Sequence, residues 1–449
     1  MQNPLNIAIV GSGLVGSLLA IYLKKAGHSV HVYDRSPDIR KIQFSGRSIN
    51  LAMSLRGWNA LDAVGIGDAI REIAIPMDKR AIHIDSKMNF QPYGREGESI
   101  YSISRGILNR KMIDLAEDAG AVFLFEKKIW DVNLPEATLH IGETERGEWE
   151  AVQYDIVFGS DGAFSRVRHR MQRQSMFDYS QEFLHIGYKE LNIPANHDGT
   201  HRLDKNSFHI WPKGDYMLIA LPNLNGSFTC TLFMPFEGEN SFASLTGRKQ
   251  VEDFFALNLP DTIDVIPKLA EDFFKNPTST LVTMKCFPWT YEDKVALIGD
   301  ACHAIVPFYG HGMNSGFEDI TVLNQCMEKY GNDWKSVFKE YEKSRKPNAD
   351  AIAELSYRNF IEMSTKTADE KFLLQKKIEK WFSDRHPDKW MPLYSRVTFS
   401  LQPYSEALKI GDFQNSIMEK VLQMEDIEEN WNSDVVEERI LSLLEQADA

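Results

Sequence analysis

The chain has 449 residues, 43% hydrophobic, 11% aromatic and 25% charged, with a formal net charge of −14. That length exceeds one ordinary core and predicts two or three domains. The acidic balance argues against a nucleic-acid partner or an anionic membrane surface, since both are bound mainly through Lys and Arg.

The opening reads strand, glycine loop, helix, strand: "NIAIV", then "GSGLVG", a helical pattern from Leu14 to Lys25, and "HSVHVYD" ending at Asp34. Residues 1 to 23 carry no charge, but no basic region precedes the apolar run and three glycines break it, so neither a signal peptide nor a span is expected. A helix and one strand ("AVFLFEKKIWDV") follow to about 132, and "YDIVFG" leads into Asp161-Gly162. From about 176 to 280, aromatic-rich extended runs predict an antiparallel sheet, with Asn225-Gly226 as a hairpin turn and two amphipathic helices after it. "KVALIGD" restores the α/β texture, and beyond about 335 the chain reads as helical, ending in an acidic tail.

The fold class is therefore α/β: a discontinuous Rossmann-like dinucleotide domain (1–175 and 281–345, with about 75–100 on the substrate side), an inserted antiparallel-sheet substrate domain (176–280) and a helical C-terminal region (346–449). Four cysteines without a CxxC pair read as reduced thiols and a cytoplasmic location. A zinc site of Cys302, His303 and His311 is weighed against a loop with buried polar groups, and the loop is preferred, so no metal is expected.

Gly11, Gly13 and Gly16 form a GxGxxG between strand and helix. The first allows the tight turn, the second the close approach of a pyrophosphate, and the third close helix packing. Asp34, eighteen residues after Gly16 at the end of the next strand, suits ribose hydroxyls. Asp161-Gly162 and Gly299-Asp300 each follow an apolar strand. Either alone reads more simply as a turn with a capping acid. Together, and in this order, they are more specific. After Asp300, Pro307, Gly310 and Gly312 interrupt the chain before a helix that begins at Met313.

With these three motifs the chain resembles the FAD-dependent aromatic-ring hydroxylases. Several further segments make it similar to one family within them, the kynurenine 3-monooxygenases. They are "GRSINLAMSLRGWNAL" (46–61), "RAIHID…QPYG" (80–94), "SISRGILNRKMI" (102–113), "FTCTLFMPFEG" (228–238), "LIGDACHAIVPFYGHGMNSGFED" (297–319), "RNFIEM" (358–363) and "WMPLYSRVTFS" (390–400). The resemblance runs to about residue 410. It implies FAD as bound cofactor, NADPH as reductant and O2, with L-kynurenine hydroxylated to 3-hydroxykynurenine by way of a flavin hydroperoxide. It implies FAD contacts at Gly11, Gly13, Leu14, Gly16, Asp34, Arg35, Ala52, Arg105, Asp161, Gly162, Asp300, Gly312, Met313 and Asn314. Substrate contacts would fall on Arg80, Tyr93, Asn359 and Tyr394, with apolar walls from Phe233, Pro307 and Phe308.

An Arg fork and a phenol suit a carboxylate. Without the resemblance, Arg80 reads as a surface charge and the tyrosines as core aromatics. No general base is named, because the substrate's aromatic amine already activates its ring. The basic run "SRVRHRMQR" (165–173) reads better as a solvated helix face than as an NADPH-attracting patch. The chain departs from the family pattern at His311, where Gln is usual. It also ends in an acidic segment instead of the apolar anchor of mitochondrial members, implying a soluble bacterial-type enzyme with no membrane anchor. Other readings are a flavin hydroxylase of another aromatic acid, a non-catalytic FAD-binding redox sensor and, least suited to the two Asp-Gly motifs, an NAD-dependent dehydrogenase.

Overall fold

The first strand, β1 (Asn6–Val10), is apolar and buried on both faces from Ile7 onward, which a parallel sheet covered by helices requires. The computed structural model from which this architecture is drawn describes residues 4–42, 49–84, 87–95, 97–144, 147–363 and 369–448. Residues 46–48 and 85 of the motifs quoted above lie outside them.

From β1 the chain turns through the glycines into α1 (Leu14–Lys25) and returns as β2 (Ser29–Tyr33). It then crosses to a second layer as β3 (Lys79–Ile84) and β4 (Lys87–Pro92), and comes back through α2 (Arg105–Asp118) to β5 (Val122–Leu124) and β6 (Ile156–Gly159). After α3 (Arg166–Met171) comes a long antiparallel run of β7 (Asp178–Ile193), β8 (Ser207–Pro212), β9 (Met217–Pro222), β10 (Phe228–Pro235) and β11 (Ser279–Phe287). The first layer is completed by β12 (Thr290–Tyr291) and β13 (Val295–Leu297), followed by α4 (Asp300–His303) and α5 (Gly312–Tyr330). The rest is helical: α6 (Trp334–Ile361), α7 (Glu370–Arg385), α8 (Tyr404–Val421) and α9 (Asp434–Asp448) are its main elements.

The first sheet has the order β12-β13-β6-β1-β2-β5, with all neighbours parallel except β12. The second has the order β11-β7-β10-β9-β8-β3-β4 and is antiparallel except where β3 runs parallel to β8. Side chains alternate across this sheet. Phe228, Cys230, Leu232 and Met234 face a core shared with the helices at 248–258 and 269–275. Phe233, Met217 and Ile186 face the other way, against Val306, Phe308 and Phe360. Each such fully buried large side chain stabilises the fold by roughly 1.5–3 kcal/mol relative to exposure.

Two sequence expectations need correction. "AVFLFEKKIWDV" is two strands, β5 and Ile129–Asn133, in different sheets. They are separated at Glu126, whose φ of 58° turns the chain so that the Lys127 N–H donates to Asp34 O at 2.8 Å. Both pieces carry the same β-favouring residues, so composition does not mark the break. The first of the aromatic-rich extended runs, "FLHIGYKEL" (183–191), is also shorter than its strand, because β7 runs from Asp178 to Ile193 through a register shift between Phe183 and Gly187 and pairs with β11. The Asn225-Gly226 hairpin is found between β9 and β10, with Gly226 at φ 83°. Among the described residues, no helix is long and apolar enough to cross a membrane.

Candidate active site

One cavity of about 1330 Å³ runs between the two sheets and the helical region. It exceeds the roughly 300–1,000 Å³ of a single drug-sized ligand and leaves room for a dinucleotide beside a small molecule. Every residue proposed from sequence lines it except Gly16 and Asn314.

The glycine loop is shaped by backbone crowding. Gly11 sits at φ 111°, and a Cβ there would come within 2.5 Å of Ser160 O. A Cβ on Gly16 would lie 2.0 Å from Gly11 O, so Gly16 acts by packing and never reaches the cavity. A Cβ on Gly13 would meet nothing within 4 Å, leaving open space where α1 begins. The α1 N-terminus has no side-chain cap and no acid in its first turn, so its free N–H groups suit a phosphate. Asp34 at the end of β2 accepts from Ser12 N and Oγ (2.8 and 2.7 Å) and from Ser36 N (2.8 Å), which fixes the loop while Asp34 and Arg35 stay on the cavity wall. These features fit FAD.

The two Asp-Gly motifs differ in kind. Asp161 braces the start of α3, whose N-cap is Ser165: its carboxylate accepts from Arg166 N at 2.6 Å and Ser165 Oγ at 2.5 Å. Burial raises its pKa against these hydrogen bonds. Asp300 has no such partner among the described residues, and its exposed carboxylate borders the cavity. Arg168 corrects the reading of the basic helix face. It is buried, and it donates to Ala163 O (2.6 Å) and Ala301 O (2.8 Å), tying one motif to the other.

Of the residues weighed for zinc, Cys302 and His303 lie with Asp319 in one buried group whose donor atoms are within 4.8 Å of one another, while His311 is engaged elsewhere. His303 Nε2 bonds Asp319 at 2.6 Å, and Asp319 is itself held by Arg345 at 2.7 Å, an ion-pair arrangement. His311 instead pairs its Nδ1 with Tyr404 OH at 2.8 Å.

Beyond the late loop, α5 starts at Gly312 with no side-chain cap, so a second helix N-terminus meets the cavity. Asn314 is fully buried: it accepts from Ser54 N (2.9 Å) and donates to Ala52 O and Gly310 O (2.8 and 3.0 Å). Its side chain is thus spent on shaping the wall. His311, just before the helix, is pushed down to about 3 by burial, with Arg56 adding to the effect, and it is neutral at ordinary pH.

Arg80 on β3 lies against two phenol rings, 4.8 Å from the Tyr93 centroid and 4.4 Å from that of Tyr394. Those rings stack at 5.6 Å, and Tyr394 stacks on Tyr309 at 5.5 Å. Burial pulls the Arg80 pKa down, but the two phenols outweigh it, and the guanidinium stays charged. Burial raises Tyr93 well above its ordinary value, so it remains a neutral donor. Among the described residues no carboxylate pairs with Arg80. A cation held this deep without a counter-ion favours an anionic ligand. Asn359 Nδ2 donates to Phe308 O at 2.7 Å, and Phe233 and Phe308 touch at 5.0 Å between ring centres, closing the apolar side.

Sequence reasoning missed several wall residues. Ile82, Phe208, Ile210, Ile219 and Leu221 project from alternate positions of β3, β8 and β9. Period-2 patterning shows that such strands have two faces, but only the cross-strand register reveals which face meets Arg80. Tyr309 was also missed, and so were Glu362 at the end of α6 and Lys376 on α7.

Comparison with known proteins places the chain. Residues 5–356 match the FAD binding domain family. The chain is 80% identical over 446 residues to a kynurenine 3-monooxygenase of Flavobacterium johnsoniae, covering 99% of this chain and 100% of that one. It is 42% identical over 435 residues to a kynurenine 3-monooxygenase of Dictyostelium discoideum, covering 94% of each. The solved 2-methyl-3-hydroxypyridine-5-carboxylic acid oxygenase shares its fold, with a TM-score of 0.68 at 18% identity over 83% of this chain and 96% of that one. The chain belongs to the FAD binding domain family and, within it, to the kynurenine 3-monooxygenases.

Proposed function

We propose that the protein hydroxylates L-kynurenine to 3-hydroxykynurenine, with FAD as bound cofactor and NADPH and O2 as co-substrates. The observation that carries this reading is the continuity of one cavity from the glycine loop to the Arg80 clamp. Close relatives that bear the kynurenine 3-monooxygenase name support it.

In this reading the glycine loop, Asp34, Asp300 and the N-termini of α1 and α5 hold FAD. When bound, that cofactor supplies the redox chemistry that joins NADPH oxidation to oxygen activation. Arg80 and Tyr93 hold the substrate carboxylate by charge-assisted hydrogen bonds, and Tyr394 and Asn359 complete the cradle. The aryl ring then lies among Phe233, Pro307, Phe308 and the front faces of β8 and β9, which keep water out. The aromatic amine of the substrate feeds electrons to the ring carbon beside it, so the protein's task is placement and no side-chain base is required. Residues 1–175 and 281–345 would hold the cofactor, 176–280 with about 75–100 would face the substrate, and 346–449 would close the cavity. A cytoplasmic location belongs to the same proposal and rests on four free, buried cysteines.

The test follows NADPH oxidation by the FAD-loaded protein in air, with and without L-kynurenine, and weighs the product. Strong stimulation and a product heavier by one oxygen atom are expected. Stimulation that yields only peroxide would exclude kynurenine as the true substrate.

A further inference from the structure

His311 is only 2% exposed, yet it lines the cavity. Its neighbours place it where the two parts of that cavity meet. On one side Gly312 opens α5, which packs against α1 through Gly316 and Val15. On the other, Tyr309 lies edge-on to the imidazole at 5.5 Å and stacks on Tyr394 beside Arg80. The His311 carbonyl accepts from Ser315 N at 2.8 Å, and its side chain takes no part in capping the helix.

The imidazole is committed by one contact. His311 Nδ1 lies 2.8 Å from the hydroxyl of Tyr404, the first residue of α8. Tyr404 is fully buried and does not reach the cavity, and among the described residues its hydroxyl has no other hydrogen-bond partner. Burial raises the phenol above its ordinary value, so it keeps its hydrogen. Were Nδ1 the donor, that hydrogen would be stranded in the interior, which native folds avoid. The phenol therefore donates and Nδ1 accepts. Arg56 reinforces the direction from 3.9 Å above the centre of the Tyr404 ring, where Glu318 and the carbonyls of Val397 and Gln402 hold it. A cation on that face draws electron density from the phenol oxygen, making it the better donor, and opposes an imidazolium beside it. A neutral imidazole carries one hydrogen, so here it sits on Nε2. Among the described residues Nε2 has no hydrogen-bond partner, and protein atoms do not wall it off. It is a donor held open to the cavity.

We propose that Tyr404 is a positioning residue that acts through His311: it fixes the Nε2–H tautomer and the ring's orientation, and His311 gives that hydrogen to a carbonyl oxygen of the bound flavin ring or of the aryl ketone. The functional reading above supplies what fills the cavity; the lock stands on the protein's own contacts. A neutral donor suits a neutral carbonyl, whereas the carboxylate calls for the charge of Arg80. The glutamine usual at this position carries an amide, which is a donor in every state. An imidazole needs a partner to settle which nitrogen holds the hydrogen, and Tyr404 is that partner.

The test is NMR of the full chain labelled at histidine nitrogen, with the His311 lines identified by their absence in His311→Gln. In the wild type Nε2 should carry the hydrogen and Nδ1 should appear as a hydrogen-bonded acceptor. Tyr404→Phe, which keeps the ring against Arg56, should move the Nδ1 line. A hydrogen on Nδ1 in the wild type overturns the lock. The two ligands then separate the acceptors. An Nε2–H line that moves when FAD is added to the flavin-free chain assigns the flavin carbonyl, and Y404F should then shift the flavin absorption band. A line that moves only when L-kynurenine joins the loaded chain assigns the ketone. In that case Y404F should raise the kynurenine Kd by about two- to tenfold, the range of one neutral hydrogen bond. A line that moves with neither ligand overturns the proposal. Either effect of Y404F should vanish in the His311→Gln background, where the amide donates unaided. An effect of equal size in both backgrounds makes Tyr404 a packing residue and overturns the proposal too. A locked tautomer and a ligand-shifted line without an oxygenated product overturn the reaction instead and leave the lock standing.

Discussion

Around the glycine loop the cavity is lined by main chain: Gly11, Gly13, Gly312 and two helix N-termini meet it, and the nearby side chains mostly brace the turns. Around Arg80 the reverse holds. There a guanidinium, two phenols and the alternate residues of three strands form the wall. A dinucleotide is long and its phosphates can be met by N–H groups common to every residue, whereas a small zwitterion offers few atoms and needs particular side chains to recognise it. The first region should therefore fail by steric intrusion and the second by loss of a functional group.

The largest effect should come from Gly16→Val. The added carbons have no space beside Gly11 O and Ser160 Oγ, and the purified variant should carry no flavin by absorbance. Full flavin content would show that this loop is not backbone-limited. Next, Arg80→Ala should weaken kynurenine by roughly 2–5 kcal/mol, the cost of truncating one partner of a buried charged pair, while flavin content stays normal. Near-normal affinity would remove Arg80 from the substrate side and dissolve the contrast.

The acid limb of stability tests His311, which stands between the two regions. Burial holds it at about 3 and holds His209, within β8, at about 4. Both are neutral when folded, so their full contribution is present above the unfolded value near 6.5 and is lost as pH falls toward these lower values. Each should remove about 1.4 kcal/mol per pH unit in that window. His311→Gln should flatten the limb by one histidine's share in urea unfolding between about pH 6 and 4; an equal slope in both proteins would refute the assignment. The smallest effect is Ser165→Ala, which removes the cap of α3 at Arg168 N and should cost about 1 kcal/mol by urea midpoint with kynurenine affinity unchanged. A drop in affinity there would mean that the two regions are coupled through Arg168.

The same contrast explains what was legible in the sequence. A loop dictated by backbone sterics leaves local marks, and Gly11, Gly13, Gly16 and Asp34 stand where their spacing puts them. The FAD-binding α/β fold follows from the same marks. The Arg80 region is assembled from residues far apart in sequence, and no local pattern joins Arg80 to Phe208 or to Tyr394. Resemblance placed four of its polar residues; Tyr309 and Glu362 sit within quoted motifs but were passed over. Asn314 shows the limit of carrying roles by position, since it lies beside the cavity while its side chain holds Ser54 and Ala52. Arg168 was misread because a basic helix looks solvated until the turns it bridges are brought beside it.

The central sheet has a temporal consequence. β1 pairs with β6 at Ile7 and Ile156, and β6 pairs in turn with β13 at Val157 and Val295. Three strands that must lie side by side are thus spread over nearly 290 residues. At roughly 5–20 residues per second of synthesis, β1 waits on the order of 15–60 s for its sheet to be completed. For the first half of that interval the glycine loop has no Ser160 behind it, and throughout it has no α5 across from it. A nascent chain stopped before Val295 should bind no flavin at all. The cofactor can join only after the ribosome has released two thirds of the protein, and it cannot guide the folding of the segment that carries its own fingerprint.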